Sequence, residues 1–411
     1  MADQPSVPKG FIAGVVHRFL TSQLSIILII LSLCLGVAAI MVTPREEDPQ
    51  IVVPLADIYV NAPGASVDEV EKVVATPLER LLWQIDGVEY VYSMSSQDMA
   101  VVTVRFYVGE DRENSILKIH NRLAMFRDQA PSIVNGWVIK PIEIADVPIV
   151  NLTLFSDRYD DHELRRMGEE VLARLSAVKD ISRTQVVGGR SREIRVELLP
   201  DRMSGLGVSL DDIRKALMGA DASVTAGSFS RANQNIMVTA NTFLASAREV
   251  EEVVVGVHAG RPVYLRDVAT VIDGPEEADT YSRIGYSHYY RDENQLTQEP
   301  LGYPAVTLAL AKKKGTNAVA VANNILNELD ALRKEVIPDD VHVEITRNTG
   351  ETAQQKVNEL LSSLAFAIIS VVILLAFALG WREAMVVALA VPISFSLALF
   401  FNFLFGYTIN R

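Results

Sequence analysis

Three long uncharged runs interrupt an otherwise polar pattern, at residues 19–44, 360–381 and 384–407. A helix that crosses a bilayer needs about 20 mostly apolar residues, so each run is long enough. Pro392 lies inside the third run, where neighbouring helices can satisfy the carbonyl that proline leaves without a donor. The pattern therefore predicts transmembrane helices at residues 19–44, 357–381 and 384–407.

The first run has an alternative explanation, a cleaved signal peptide. A signal core is about 7–15 residues long and ends in small residues at a cleavage site. Here the apolar core at residues 24–42 is longer and is followed by Thr43 and Pro44. These features favour an uncleaved anchor, preceded by a cytoplasmic tail or interfacial helix at residues 1–18.

Lysine and arginine near the spans predict their orientation, because cytoplasmic ends carry an excess of both. Lys9 and Arg18 precede the first span, and Arg382 lies in the short link between the second and third. Both places are expected to be cytoplasmic. Residues 45–356 then lie on the opposite side of the membrane.

Strand and helix patterns repeat in this outer part, with an offset of about ninety residues between the first two copies. Ser66 with Glu69 forms a capping-box pattern, and Asp160 or Asp161 can cap the second helix. Units of this kind predict α+β domains of the split, ferredoxin-like type. Each copy runs strand, helix, strand, at residues 56–60, 66–84 and 100–108, at 149–154, 160–176 and 193–199, and at 305–311, 317–336 and 341–346.

Residues 186–275 break this pattern and predict a small domain inserted into the second copy. Within it, residues 219–241 predict a long hairpin with a polar tip, and residues 260–265 predict the edge of a shorter one. Gly188 and Gly189 predict a hairpin turn rather than a phosphate cradle. A hairpin with few apolar residues is not stable alone, so the long one is expected to lean on another surface.

Charge and composition exclude several classes of function. The net charge of −13 is concentrated in the outer part, since residues 1–44 and 357–411 carry almost none of it. Nucleic-acid binding requires a basic face and is not expected. The histidines have no metal-ligand spacing, the single Cys34 allows no intrachain disulfide, and no P-loop, dinucleotide or nucleophile-elbow motif is present. We expect neither an enzyme nor a bound metal or cofactor.

Two segments are candidates for contact with a ligand. The acidic residues 46–48 can attract cations, but a solvated loop that ends the first span is the favoured interpretation. Residues 281–303 hold five tyrosines, which favour aromatic packing under an ordered loop over a ligand-contacting loop. The three uncharged runs contain no Asp, Glu, Lys, Arg or His, so they hold no complete proton or sodium relay.

The order of these elements, together with several short motifs, resembles the N-terminal half of the inner-membrane subunit of resistance–nodulation–division (RND) efflux transporters. No single motif is decisive, but their order across nearly the whole chain is specific. The motifs are PREEDPQI at 44–51, NAPGAS at 61–66, TPLE at 76–79 with GV at 87–88, GRPVYLRDVA at 260–269, KKKGTNA at 312–318, VP at 391–392 and GYTIN at 406–410.

The resemblance implies a membrane α-helical plus α+β architecture with a large periplasmic region. It assigns residues 45–140 to a first porter subdomain, 141–185 with 276–350 to a second, and 186–275 to an inserted docking subdomain. It also implies a multi-pass protein of the inner membrane, a homotrimeric and proton-driven exporter. The implied partners are a periplasmic adaptor protein, an outer-membrane channel and the lipid bilayer.

The resemblance also implies roles for individual residues. Positions that line the drug cleft of the multidrug branch match Pro148, Val187 and Arg347, none of which is aromatic. A hairpin arm at about residues 221–235, which reaches a neighbouring subunit in the family, would carry the contact residues Ser228, Phe229, Arg231 and Asn233.

In the family, the proton-relay aspartates follow a GYTIN-like turn on the fourth span. Here residues 408–411 are expected to be the start of a truncated loop, with the relay lying beyond residue 411. Two other readings of the architecture stay open: a membrane-anchored outer sensor or binding module, and a relative that exports proteins or lipids, since a fold does not determine its cargo.

Overall fold

The computed structural model describes residues 19, 23–47, 51–143, 146–220, 224–231, 234–240, 244–294 and 302–409. The expected tail at residues 1–18 and the last two residues of the expected loop at 408–411 lie outside this part. Helix α1 comes first, at Leu24–Val42. It contains no charged residue and ends at Thr43, whose amide donates to the carbonyl of Ala39.

The first α/β unit is a four-stranded antiparallel sheet covered by helices. Strand β3 alternates between buried side chains and side chains on the open face, as a half-buried strand requires. The predicted capping box of Ser66 and Glu69 is confirmed at the start of the first helix. The elements are β1 (Leu55–Asn61), α2 (Val67–Glu69), a π-helical turn (Val70–Ala75), α3 (Thr76–Trp83), β2 (Val88–Ser96), β3 (Met99–Phe106), α4 (Arg112–Met125), a short 3₁₀ turn (Arg127–Gln129) and β4 (Gly136–Ile142), with strand order β2-β3-β1-β4.

The second unit begins with β5 (Val150–Phe155), α5 (Asp161–Leu175) and β6 (Ile181–Val187). Asp160 caps α5 through the backbone amide of Glu163. Gly188 and Gly189 follow β6 with positive φ angles, so the predicted tight turn is present. It does not form a hairpin, because β6 pairs within the second sheet whereas the next strand pairs elsewhere.

The inserted segment forms short sheets and helices around its own small apolar core. Both predicted hairpins are present among the described residues, as β8 with β9 and as β10 with β11. The elements are β7 (Arg192–Leu198), α6 (Pro200–Leu206), α7 (Leu210–Ala220), β8 (Val224–Arg231), β9 (Gln234–Ala240), α8 (Ala247–Glu251), β10 (Val254–His258), β11 (Arg261–Tyr264), α9 (Leu265–Val268) and β12 (Ala269–Pro275). Strand β7 pairs with β12, which brings the two ends of the insert together.

The chain then returns and completes the second sheet with β13 (Arg283–Ile284), α10 (His288–Asn294), β14 (Tyr303–Lys312), α11 (Ala318–Glu335) and β15 (His342–Asn348). β14 pairs with β5 on one side and with β6 and β13 on the other, while β15 pairs with β5. The third strand–helix–strand copy therefore shares one sheet with the second. Helices α5 and α11 cover one face of this sheet over buried Leu152, Leu154 and Leu308.

Two long helices end the described chain, α12 (Thr349–Ala378) and α13 (Trp381–Leu404). Among the described helices, α1, α12 and α13 are long and apolar enough to cross a membrane. α13 packs against both α1 and α12, and Gly36 of α1 lies so close to Ser396 of α13 that a Cβ there would clash. Small residues permit such close approach between membrane helices.

Helix α12 starts directly after β15, where Asn348 caps its first turn through the amide of Glu351. At 1.5 Å per residue its 30 residues extend about 45 Å. The predicted span at residues 357–381 is therefore the far part of a longer helix. Its first turns carry Glu351, Lys356 and Glu359, and they connect the second sheet to the apolar part without a break.

Candidate functional site

A cavity of about 110 Å³ lies where the two α/β units meet the ends of the membrane helices. The first unit contributes residues 51–54, Arg112 and the end of β4. The second unit contributes residues 147–149, the end of β14 and Arg347 of β15. Glu46 and Glu47, which follow α1, form the remaining wall. The cavity thus lies between the first unit, the second unit, the residues that follow α1 and the start of α12.

The structure brings together two of the three residues predicted to line a cleft. Pro148 and Arg347 both line this cavity, and the backbone of Arg347 lies opposite Asn151 on β5. Val187 lies elsewhere, at the end of β6 opposite Thr307 of β14, and 46% of its surface is exposed. It is separated from β5 by β14, so it does not reach the same cavity.

The cationic side chains of the cavity fall into two groups, those with an ion-pair partner and those without one in the described ranges. Arg112 is paired with Glu143, and Lys312 is paired with Glu46 at 2.5 Å. Arg347 and Lys314 make no side-chain hydrogen bond or ion pair with any residue in the described ranges. The cavity therefore offers two exposed cationic groups and the half-buried carboxylate of Glu47 beside an apolar wall formed by residues 51–54 and 147–149.

Glu46 corrects the favoured interpretation of the acidic segment at residues 46–48. It is not solvated but buried, and its partner Lys312 is buried as well. Glu47 is half-buried beside the cavity, and Asp48 lies outside the described residues. No local pattern predicts this pair, because the partners are 266 positions apart and Lys312 begins a lysine run that is typical of a solvated loop.

Beyond the cavity, the open face of the second sheet carries a polar row. The hydroxyl of Thr153 lies 2.9 Å from that of Thr307 and 3.1 Å from that of Thr346. Each of these threonines comes from a different strand, and the opposite face packs under helices. This face of the sheet therefore presents hydroxyl groups from three neighbouring strands.

The tyrosine-rich segment lies at the other end of the same sheet. Phe155 contacts Tyr286, Tyr303 and His342, with ring centroids 5.2 to 5.6 Å apart, and Tyr286 stacks on Tyr290. Burial, and then the nearby carboxylate of Glu344, raises the pKa of Tyr286 well above its ordinary value. These contacts agree with the packing interpretation.

A dense set of polar contacts surrounds Gly188 and Gly189, where the insert leaves the second sheet. Arg165 donates to the carbonyls of both glycines at 3.0 Å. Arg190 binds the carboxylate of Asp161 with two nitrogens, at 2.6 and 3.0 Å. This hydrogen-bonded guanidinium lowers the pKa of Asp161 below its ordinary value.

The returning chain is fixed at the same place. The backbone amide and hydroxyl of Ser191 donate to Glu276 at 2.9 and 2.8 Å, which lowers the pKa of that carboxyl. We call residues 188–191 with Glu276, Asp161 and Arg165 the insert clamp.

The predicted arm corresponds to the hairpin of β8 and β9. Ser228 lies opposite Met237 in the backbone register, Phe229 opposite Ile236, and Arg231 opposite Gln234. Asn233 falls outside the described residues. No group of metal-ligating side chains occurs among the residues that the structure describes.

Three apolar helices joined to two α/β units define the class of protein, a membrane protein with a large extramembrane part. A model of the AcrB/AcrD/AcrF family matches residues 15–411. The chain therefore belongs to this family, the RND permeases.

Individual relatives agree with this assignment. The chain is 28% identical over 387 residues to "Multidrug resistance protein MdtC" of Photorhabdus laumondii, which covers 93% of this chain and 35% of that protein. It is also 28% identical over 404 residues to the protein of the same name from Yersinia enterocolitica, covering 98% of this chain and 38% of the relative. The chain thus spans little more than a third of the length of these relatives.

Proposed function

We propose that this chain is the N-terminal part of an RND exporter subunit, which moves substrates outward from the periplasm or the membrane. The observation that carries the proposal is the continuous path from α12 through β15 into the second sheet. It places a cavity wall and an apolar helix on one rigid element. A sensor would place its effector on the cytoplasmic side, whereas α12 and α13 are joined by a link of two residues.

The two α/β units fit the porter subdomains expected at residues 45–140 and at 141–185 with 276–350. In support, both follow the chain order strand, helix, strand, strand, helix, strand, and both place the first and third strands in the centre of the sheet. This is the arrangement of a split βαβ unit. The segment 186–275, with its separate core, fits the docking subdomain, although β6 extends two residues past that boundary.

The cavity around Pro148 and Arg347 fits the entrance of a substrate cleft that continues along the threonine row toward Val187. Its cationic groups and apolar wall favour amphiphilic substrates that carry a polar or anionic group. Proton antiport, assembly as a homotrimer through the β8–β9 arm, and coupling to an adaptor and an outer-membrane channel belong to the same proposal, by family likeness.

Export is tested in cells from which the gene encoding this chain has been deleted. Deletion is expected to raise the accumulation of exported dyes, and the wild-type gene is expected to reverse it. Arg347→Ala is expected to lower export three- to tenfold for anionic substrates, because the cavity loses a cationic group. Arg174→Ala, an exposed change on α5, serves as the control.

Dyes, metal ions and lipids are assayed side by side, because the family name does not determine the cargo. Increased sensitivity to metals alone would assign a metal exporter, and a change in lipid content alone would assign a lipid exporter. Unchanged accumulation of all three classes would contradict the proposal.

A further inference from the structure

Residues 44–46, which we call the joint, connect the end of α1 to four other elements. The amide of Glu46 donates to the carbonyl of Ile409, and the amide of Ile409 donates to the carbonyl of Pro44, at 3.0 and 2.9 Å. The carbonyl of Arg45 accepts from Ala318 at the start of α11 at 3.0 Å. The joint therefore meets the chain after α13 and the second unit at once.

The side chain of Arg45 extends these connections to both neighbouring membrane helices. Its guanidinium donates to the carbonyl of Ile40 in α1 at 3.2 Å and to the side chain of Gln354 in α12. Gln354 lies in the second turn of α12, close to the point where that helix leaves β15. Helices α1 and α12 and the segment that follows α13 thus each have a direct contact with these three consecutive residues.

An ion pair fixes the joint to the second sheet. Nζ of Lys312 lies 2.5 Å from Oε1 of Glu46, and only 11% and 3% of the two side chains are exposed. Lys312 is the last residue of β14, and its carbonyl accepts a hydrogen bond from Ser182 of β6 at 2.9 Å. The cation is therefore held by a strand in the interior of the sheet.

Stability alone is a poor explanation for this pair. Taking two charges out of water costs several kcal/mol each, and well-packed apolar residues are often equally stable in such places. What an ion pair adds is a defined distance and orientation between two specific atoms. Both partners also line the cavity, so a displacement of the joint changes the cavity wall.

We propose that Glu46 and Lys312 are positioning residues, which hold the exit of α1 at one place on the second sheet so that rearrangement of the membrane helices moves the cavity walls. This inference rests on the proposed export function. It concerns the connection between α1 and the second sheet, and it assigns neither residue a role in proton transfer.

The kinetic test uses export of fluorescein, an anionic amphiphilic dye, by membranes that contain the transporter encoded by this gene. Lys312→Met and the double variant Glu46→Gln with Lys312→Met are compared with the wild type. The double variant removes both charges of this pair, so it is expected to accumulate normally. The kcat per molecule of the double variant is expected to fall at least fivefold with KM nearly unchanged. The cavity is still present, but rearrangement of the membrane helices no longer moves its walls.

The matched control removes an exposed pair, through Arg174→Met with Glu170→Gln on α5. Its kcat is expected to equal that of the wild type. Wild-type kcat in the double variant at normal protein level would overturn the proposal, because the pair would then serve folding alone. A higher KM with an unchanged kcat would overturn the proposal as well.

A second measurement does not depend on transport. The Tm of Glu46→Gln, Lys312→Met and the double variant is measured in lipid nanodiscs as a double-mutant cycle. The double variant is expected to melt above Lys312→Met. Additive losses would overturn the tie itself, whereas coupled losses with no fluorescein export by the wild type would count against the proposed function alone.

Discussion

The second α/β unit is attached to the rest of the chain at two places that differ in chemistry. The joint at residues 44–46 combines backbone hydrogen bonds and contacts of Arg45 with one buried ion pair, Glu46 with Lys312. The insert clamp depends on several half-exposed contacts, including Arg190 with Asp161 and Ser191 with Glu276. The first attachment faces the membrane helices, and the second faces the inserted segment.

The difference teaches how each attachment responds to change. A buried charge that loses its partner remains in a medium of low dielectric, so the loss is large and not compensated. A half-exposed charge is rehydrated when its partner is removed, and neighbouring contacts persist. We therefore expect the joint to be sensitive to single substitutions, and the clamp to respond gradually and to depend on pH.

The largest effect is expected for Lys312→Met, which leaves the carboxylate of Glu46 buried without this cation. Removing one partner of a buried pair typically costs about 3–5 kcal/mol in the free energy of unfolding. The measurement is reversible unfolding of the purified transporter in nanodiscs. A loss below about 1 kcal/mol in the free energy of unfolding would make this pair equivalent to exposed ion pairs. The contrast between the joint and the insert clamp would then not hold.

The next effect is expected for Gly189→Ala in the clamp. A Cβ at this position would lie 2.5 Å from the carbonyl oxygen of Asp161, and the φ angle of +71° disfavours any side chain. The expected loss is about 2–3 kcal/mol in the free energy of unfolding. Gly205→Ala in α6, where no atom lies within 4 Å, is the control and is expected to be neutral or stabilising.

A smaller and pH-dependent effect is expected for Asp161→Asn. The pKa of Asp161 is lowered by its hydrogen bond from Arg190, so the ionised form stabilises the fold. This stabilisation is fully present above the unfolded pKa of about 4 and is lost as the pH falls through the folded pKa. At pH 7 the variant should lose about 1 kcal/mol in the free energy of unfolding, because the partly exposed guanidinium of Arg190 is rehydrated when the ion pair is lost.

The same variant sharpens the comparison below pH 4, where its stability should converge on that of the wild type. Asp157→Asn is the control, because Asp157 has no side-chain hydrogen bond or ion pair within the described ranges. A difference between Asp161→Asn and the wild type that is constant from pH 7 to pH 3 would contradict the role of the ionised carboxylate.

The smallest effect is expected for Arg174→Met, which removes exposed pairs with Glu170 on α5 and with Glu335 at the end of α11. Pairs of this kind on a helix surface contribute about 0.3–0.5 kcal/mol. Chemical denaturation should detect a shift of this size and no change in export. A loss above about 1 kcal/mol would mean that exposure is a poor guide to these pairs.

Local features of the fold were predictable from the sequence because they depend on neighbouring residues. The structure confirms the capping box of Ser66 and Glu69, the alternation of β3 and an apolar helix at each of the three uncharged runs. The pairing of β14 with both β5 and β6 was not visible in the residue pattern, since it joins segments more than a hundred residues apart. The residue pattern alone therefore predicted a third unit, whereas in the structure these elements complete the sheet of the second unit.

The candidate site was predictable to the same extent. Pro148 and Arg347 were proposed together and line one cavity, because both adjoin β5. Val187 lies outside this cavity, since strand order decides which residues share an end of the sheet, and its place in a substrate cleft stays a prediction. Glu46 was assigned to a solvated loop because burial of a charge depends on the distant Lys312, which no local period reveals.

The most direct test measures the distance between α1 and the second unit in a lipid bilayer. Spin labels are placed at Met41, near the end of α1, and at Ala173 on α5, with Cys34 replaced by alanine. If the joint holds α1 on the sheet, the wild type gives one narrow distance distribution and the Glu46→Gln, Lys312→Met double variant gives a broadened or shifted one. Identical distributions in the two proteins would contradict the account.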